Sequence, residues 1–179
     1  MRTMRRLRPF ASLALLAALA VPAMACGRPF DVKTPPGFVE IDGQEPEYEY
    51  RAMAPEGVVV AVRVEPAKDR GDLAFWTRAV TLRMRQSGGY ALIASTDVAS
   101  RDGTPGKELT FGHDENGEPY FYDVSLFMAQ DRLFILEAGG SKADMDRYRP
   151  QLDWVKRSLK VQCRVFVSPV LASRTCNRW

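Results

Sequence analysis

Residues 120–138, YFYDVSLFMAQDRLFILEA, decide the fold. Tyr120 to Met128 alternates large apolar and other side chains with a period of two, which is the pattern of a β-strand. Asp131 then turns the chain, and Leu133 to Ala138 returns as an apolar strand. Two strands joined by so short a turn predict an antiparallel pair, and the apolar return predicts that its second strand is central in a sheet.

Further elements are predicted on both sides of this pair. One helix begins after the N-cap residue Asp72 and continues to about Gln86, and a second helical region after Ser141 is split by Pro150. The other strands are expected at 38–41, 48–52, 58–65, 90–98 and 107–111. This order predicts an α+β fold, with a mostly antiparallel sheet of about six to seven strands flanked by two helices.

The first 25 residues have the features of a signal peptide. They contain four arginines and no acidic residue, an apolar run from Phe10 to Val21 that is short for a membrane span, and the small residues of Ala23-Met24-Ala25. Cleavage after Ala25 would make Cys26 the first residue of an exported chain.

The cysteine at the cleavage point resembles that of a bacterial lipobox. This resemblance implies an acylated Cys26 and a protein anchored to the membrane by its N-terminal lipid; a plain secreted protein with an incidental cysteine is the alternative. Gly27, where sorted lipoproteins can carry Asp, implies the outer membrane, facing the periplasm. Residues 26–36 contain three prolines and a glycine and are expected to be an anchor and tether.

Charge excludes one class of function. Without residues 1–25 the chain has 21 basic and 22 acidic residues, so the mature surface is nearly neutral. A nucleic-acid-binding protein needs a concentrated basic field, and no nucleic-acid partner is expected. The 154 residues from Cys26 onward suit one domain, predicted at 37–160 and followed by a tail at 161–179.

The cysteine count is consistent with export. Acylation of Cys26 leaves Cys163 and Cys176 as an even pair in an oxidising compartment. A disulfide between them would close a short loop in the tail. Free thiols are the alternative, although the chain contains no C-x-x-C motif.

Several short segments resemble the superfamily that groups the photosystem protein PsbP, the nuclear import factor Mog1 and the bacterial lipoprotein DcrB. The resemblance covers roughly Pro36 to Lys160 and rests on Pro36-Gly37-Phe38, Ala54-Pro55-Glu56-Gly57, Phe75-Trp76, Asp102-Gly103 with Gly106, Tyr120-Phe121-Tyr122 and Leu136-Glu137-Ala138-Gly139-Gly140. It implies an α/β/α sandwich that acts by binding and assembly, with no shared catalytic set. The metal and partner residues of the plant and nuclear members have no counterpart here.

Motifs for common chemistries are absent from the sequence. There is no phosphate-binding glycine loop and no G-x-S-x-G elbow, and the single histidine, His113, excludes a multi-histidine metal site. No metal or cofactor is therefore expected. Asp123 and Glu137 are the candidates for an acid/base pair, because each interrupts an apolar strand. Asp123 is expected to be exposed, and Glu137 to pair with an arginine.

Three aromatic residues are candidates for a ligand or partner surface: Trp76, Tyr120 and Tyr122. Each is also a candidate core residue. The leading hypothesis is a non-enzymatic, lipid-anchored envelope protein that binds a protein partner or supports an assembly. The alternatives are a small-ligand carrier with a pocket between helix and sheet near Trp76, and a hydrolase with two carboxylates facing one cleft.

Overall fold

The computed structural model describes residues 28–41, 46–68, 70–161, 165–167 and 172–174. The predicted signal peptide and all three cysteines lie outside these residues. The described strands are β1 (Val39–Glu40), β2 (Tyr50–Met53), β3 (Val59–Pro66), β4 (Ala91–Ala99), β5 (Pro105–Glu115), β6 (Glu118–Ala129), β7 (Arg132–Ser141), β8 (Val165–Val167) and β9 (Ala172–Arg174). The helices are α1 (Leu73–Gly88), α2 (Lys142–Arg147) and α3 (Arg149–Ser158).

The first seven strands form one antiparallel sheet in the order β1-β2-β3-β7-β6-β5-β4. The predicted α+β fold is confirmed, and β7 is the central strand. The described residues contain three helices rather than two. The Ser141 hydroxyl accepts a hydrogen bond from the Asp144 amide and caps α2, and Pro150 stands in the first turn of α3. The predicted split at Pro150 is therefore also confirmed.

The hairpin of β6 and β7 has the predicted turn. Gln130 and Asp131 both adopt positive φ, 53° and 58°, which fits the right-handed twist of the two strands. The register pairs Phe127 with Phe134 and Leu126 with Ile135. Because side chains alternate across a strand, these two neighbouring pairs lie on opposite faces of the sheet.

Each face of the sheet carries its own core. On one face, here the α3 face, Phe127, Phe134 and Leu136 pack with Leu152 and Val155 of α3. On the other, the α1 face, α1 contributes the half-buried residues Leu73, Trp76, Val80 and Met84. They pack against four buried strand residues: Leu109, Phe111, Leu126 and Ile135. Helix α1 begins at the N-cap Asp72, as predicted, and ends at Gly89 in the left-handed conformation.

The segment before the sheet is part of the folded domain. The sequence predicts a tether over residues 26–36, but from Arg28 onward the chain packs against the α3 face. Phe30 is 3% exposed and joins the core, and Asp31 forms a β-bridge with Lys160. The amide of Lys33 donates to the Ser158 hydroxyl at 3.1 Å. The prolines of this segment therefore shape a packed strand-like run rather than a free linker.

We expect Gly106→Ala to lower the free energy of unfolding by about 1–3 kcal/mol. A Cβ at Gly106 would lie 2.4 Å from the Phe127 ring and 2.5 Å from the Leu126 carbonyl oxygen, and neither can move without disturbing the core. Gly112→Ala in the same strand is the matched control. Its Cβ would meet the end of the exposed Ile93 side chain at 2.6 Å, which can rotate away, so a change within about 0.5 kcal/mol is expected. Urea unfolding measures both; equal losses would contradict the close packing at Gly106.

Candidate functional site

An open cleft lies on the α1 face of the sheet, beside α1. The helix packs on β4, β5 and β6, which is the half of the sheet remote from β1 and β2. Over the other half, the strands themselves form the floor of a cleft of about 350 Å³. Four tyrosines and one arginine stand around it: Tyr48, Tyr90, Tyr120, Tyr122 and Arg51.

The buried carboxylate of Glu137 lines the cleft and forms an ion pair with the half-buried Arg63. Glu137 of β7 is 6% exposed, and its Oε1 accepts hydrogen bonds from Nε and Nη2 of Arg63 at 3.2 and 2.9 Å. The predicted pairing of Glu137 with an arginine is thus confirmed. Burial alone would lower the pKa of Arg63, but the charge of Glu137 outweighs it and holds that pKa above its usual value. Oε2 of Glu137 is buried and accepts no hydrogen bond from the described part of the chain.

Tyr122 covers this ion pair. Burial, and then the negative charge of Glu137, raise the pKa of the Tyr122 phenol above its usual value. The Tyr122 hydroxyl makes no hydrogen bond to the buried Oε2 of Glu137. The ring lies over Gly139, where a Cβ would come within 2.7 Å of it. A glycine at this position therefore lets the tyrosine lie flat across the two strands.

The structure separates the three aromatic candidates. Tyr120 and Tyr122 both line the cleft and are half-buried. Trp76 does not line it: its ring packs against the core under α1 and stands edge-on to Phe75, with ring centroids 5.5 Å apart. The core interpretation of Trp76 therefore fits its position, and a pocket wall does not.

Several residues of the cleft were not picked out from the sequence. Tyr90 follows the end of α1 and stacks on His113 at 5.0 Å between ring centroids, and Arg51 lies over the Tyr48 ring at 5.6 Å. The alternation of β2 and β3 puts Arg51 and Arg63 on one face. This alternation predicts which face of the sheet the two arginines occupy. It does not predict that α1 leaves that part of the face uncovered.

The two acidic candidates do not form a pair. Asp123 was expected to be exposed, but it is 2% exposed, because α3 covers its face of the sheet. Its carboxylate accepts hydrogen bonds from the Thr110 hydroxyl at 2.9 Å and from Arg149 at 2.8 Å. Glu137 lies on the α1 face. The carboxylates are therefore separated by the sheet, and they do not face one cleft as the hydrolase hypothesis requires.

Neither a metal-binding cluster nor a membrane-spanning helix is present among the described residues. No group of three or more His, Cys, Asp or Glu side chains in this part of the chain is placed to hold a metal ion. Nor is any helix among those residues both long and apolar enough to cross a membrane.

Comparison with solved structures shows that the chain has the PsbP/Mog1-like fold expected from its sequence. LpqN of Mycobacterium tuberculosis, which is involved in cell envelope biogenesis, matches with a TM-score of 0.60 and 10% identity over 73% of this chain and 82% of its own. The PsbP of Synechocystis sp. PCC 6803 matches with a TM-score of 0.54 and 14% identity, over 75% and 87%.

The Ran-binding protein Mog1p of Saccharomyces cerevisiae matches with a TM-score of 0.52 and 12% identity, over 74% of this chain and 90% of its own. Identities this low establish the likeness in fold alone. Neither a protein-family model nor the sequence of a curated protein matches the chain.

We expect Arg63→Met to destabilise the protein by about 2–4 kcal/mol, since it leaves Glu137 buried without its partner. Glu137→Gln should cost less, about 1–2 kcal/mol, because Arg63 is 27% exposed and can turn to water. Chemical unfolding of both variants at pH 7 measures the difference. A larger loss in Glu137→Gln than in Arg63→Met would show that the carboxylate does not depend on the guanidinium.

Proposed function

We propose that this protein is exported to the bacterial cell envelope, is anchored by a lipid on Cys26, and works by binding a protein partner in the aromatic cleft. The observation that carries the proposal is the composition of the open half of the sheet. Tyrosine and arginine are the residues that contribute most to protein interfaces, since they bury large areas and still offer hydrogen bonds. Tyr48, Tyr120 and Arg51 project there from two separate parts of the sheet.

The two buried carboxylates lie on opposite faces of the sheet as partners in ion pairs, and they do not form an acid/base pair in the cleft. Each of the two buried carboxylates that interrupt the central strands is held by an arginine, at 2.9 Å for Glu137 and 2.8 Å for Asp123. The fold is also that of LpqN, whose role is in cell envelope biogenesis, and of Mog1p, which binds Ran.

We also propose a disulfide between Cys163 and Cys176. The two cysteines flank strands β8 and β9 in the sequence, and these strands pair antiparallel with Val165 opposite Arg174. Acylation of Cys26 would leave the two cysteines as an even pair in an oxidising compartment.

A small-ligand carrier is the second candidate function. The cleft volume of about 350 Å³ is within the range of small-molecule sites, and its polar groups are few and convergent. This candidate differs from the sequence-based version in its position, because the cleft lies beside Tyr120 and Tyr122 and not at Trp76.

A photo-crosslinking side chain at Tyr120 in living cells tests the leading proposal. We expect a discrete adduct of protein size that diminishes when Arg51 is replaced by Ala. Val39 of β1 is the control position, because it is 71% exposed and outside the cleft. Equal adducts from Tyr120 and Val39, or none from Tyr120, would contradict the proposal. An adduct of small mass at Tyr120 would instead support the ligand carrier.

The intact mass of the protein extracted from membranes tests the anchor and the disulfide. We expect a chain that begins at Cys26 and carries the mass of attached acyl chains, with two hydrogens gained on reduction. An unmodified Cys26 terminus in the soluble fraction would contradict the lipid anchor. An unchanged mass under reductant would contradict the Cys163–Cys176 bond.

A further inference from the structure

A second hollow, remote from the aromatic cleft, is lined by three basic side chains. Lys33 of the N-terminal segment, Arg101 of the β4–β5 loop and Arg157 of α3 surround a volume of about 170 Å³. Trp154, half-buried, forms one wall, and Ser158 lies at the base. The three cations are exposed. We call this arrangement the basic pocket.

Hydrogen bonds fix the three chain segments that carry these cations. The Lys33 amide donates to Ser158 Oγ at 3.1 Å, and the Arg101 amide donates to the Leu159 carbonyl at 2.8 Å. Ser158 is 7% exposed and donates its own proton to the Val155 carbonyl at 2.8 Å. The backbone that carries each positive side chain is therefore held in place before any anion binds. This reduces the conformational entropy lost on binding.

The charge of the basic pocket is not neutralised within the described part of the chain. None of its three cations forms an ion pair there, whereas the neighbouring acids are engaged elsewhere. Asp153 pairs with Lys156 at 3.0 Å. Asp102 accepts hydrogen bonds from the Ser100 hydroxyl and, at 3.1 Å, from the Val161 amide. Three unpaired cations around one hollow attract an anion of matching size.

The position of the basic pocket in the molecule indicates which kind of anion it binds. Lys33 follows Cys26 by seven residues, and the N-terminal segment packs on the α3 face, as α3 itself does. A membrane that holds a lipid on Cys26 would therefore lie on the side of the molecule that carries the basic pocket. Tryptophan is favoured at the boundary between lipid and water, and cations there are attracted to anionic headgroups.

We infer that the basic pocket binds the phosphate headgroup of an anionic phospholipid and holds the α3 face of the domain against the membrane surface. The inference extends the proposed anchoring, but its test omits the acyl chain, so that the two can fail separately.

The test is co-sedimentation of residues 26–179, with Cys26→Ser, with vesicles of phosphatidylglycerol and phosphatidylcholine at about 3:7, against pure phosphatidylcholine. We expect binding only to the anionic vesicles, and weaker binding as salt rises from about 0.1 to 0.5 M. The triple variant Lys33→Gln, Arg101→Gln, Arg157→Gln should bind about 30-fold more weakly or worse. Its thermal unfolding should match that of the parent, since all three side chains are exposed.

The matched control removes three arginines from α1, with Arg78→Gln, Arg83→Gln and Arg85→Gln. These residues are exposed on the opposite face of the sheet and form no ion pair within the described residues, so the net charge changes equally. Binding should stay within about twofold of the parent. An equal loss in both triple variants would mean attraction by net charge alone and would overturn the inference. Calorimetric binding of inorganic phosphate without any gain on anionic vesicles would identify a free-anion site and overturn it as well.

Discussion

The pairing of β6 with β7 is the constraint on which the rest of the structure depends. Its register places Leu126 and Ile135 on the α1 face, and Phe127 and Phe134 on the α3 face, so that each face receives an apolar core. A slip of one residue would exchange the faces of every side chain in a strand. The same alternation sends Glu137 to one face and Asp123 to the other. Each buried acid forms an ion pair with an arginine, Glu137 with Arg63 of β3 and Asp123 with Arg149 of α3.

Unequal coverage of the two faces generates the candidate site. The α3 face is closed by α2, α3 and the N-terminal segment, whereas α1 lies over only part of the opposite face. On this open part of the face, the strands carry polar and aromatic residues beside the smaller Val59 and Ala61. In the covered half of this face, apolar side chains of α1 pack on the strands. In the open half, the Arg63–Glu137 pair and Tyr122 lie on the strands instead.

The sequence predicts what local patterns determine. The strands around Asp131, the N-cap at Asp72 and the break at Pro150 are all short-range signals, and each is present in the structure. It did not predict the burial of Asp123, because alternation gives a residue its face but not the element that covers that face. The place of Gly139 beneath Tyr122 was also missed, since a glycine at the end of an apolar strand resembles a helix-initiating turn.

The packing of residues 28–36 would limit how far the domain could move from a lipid on Cys26. Arg28 already lies against the Tyr50 ring, at 5.5 Å, on the α3 face. Arg28 follows Cys26 by two residues, which reach at most about 7 Å even when fully extended. Such a domain would pivot over a small radius with its aromatic cleft turned toward the aqueous compartment. It would meet partners that diffuse to it, and could not extend to structures deep in that compartment.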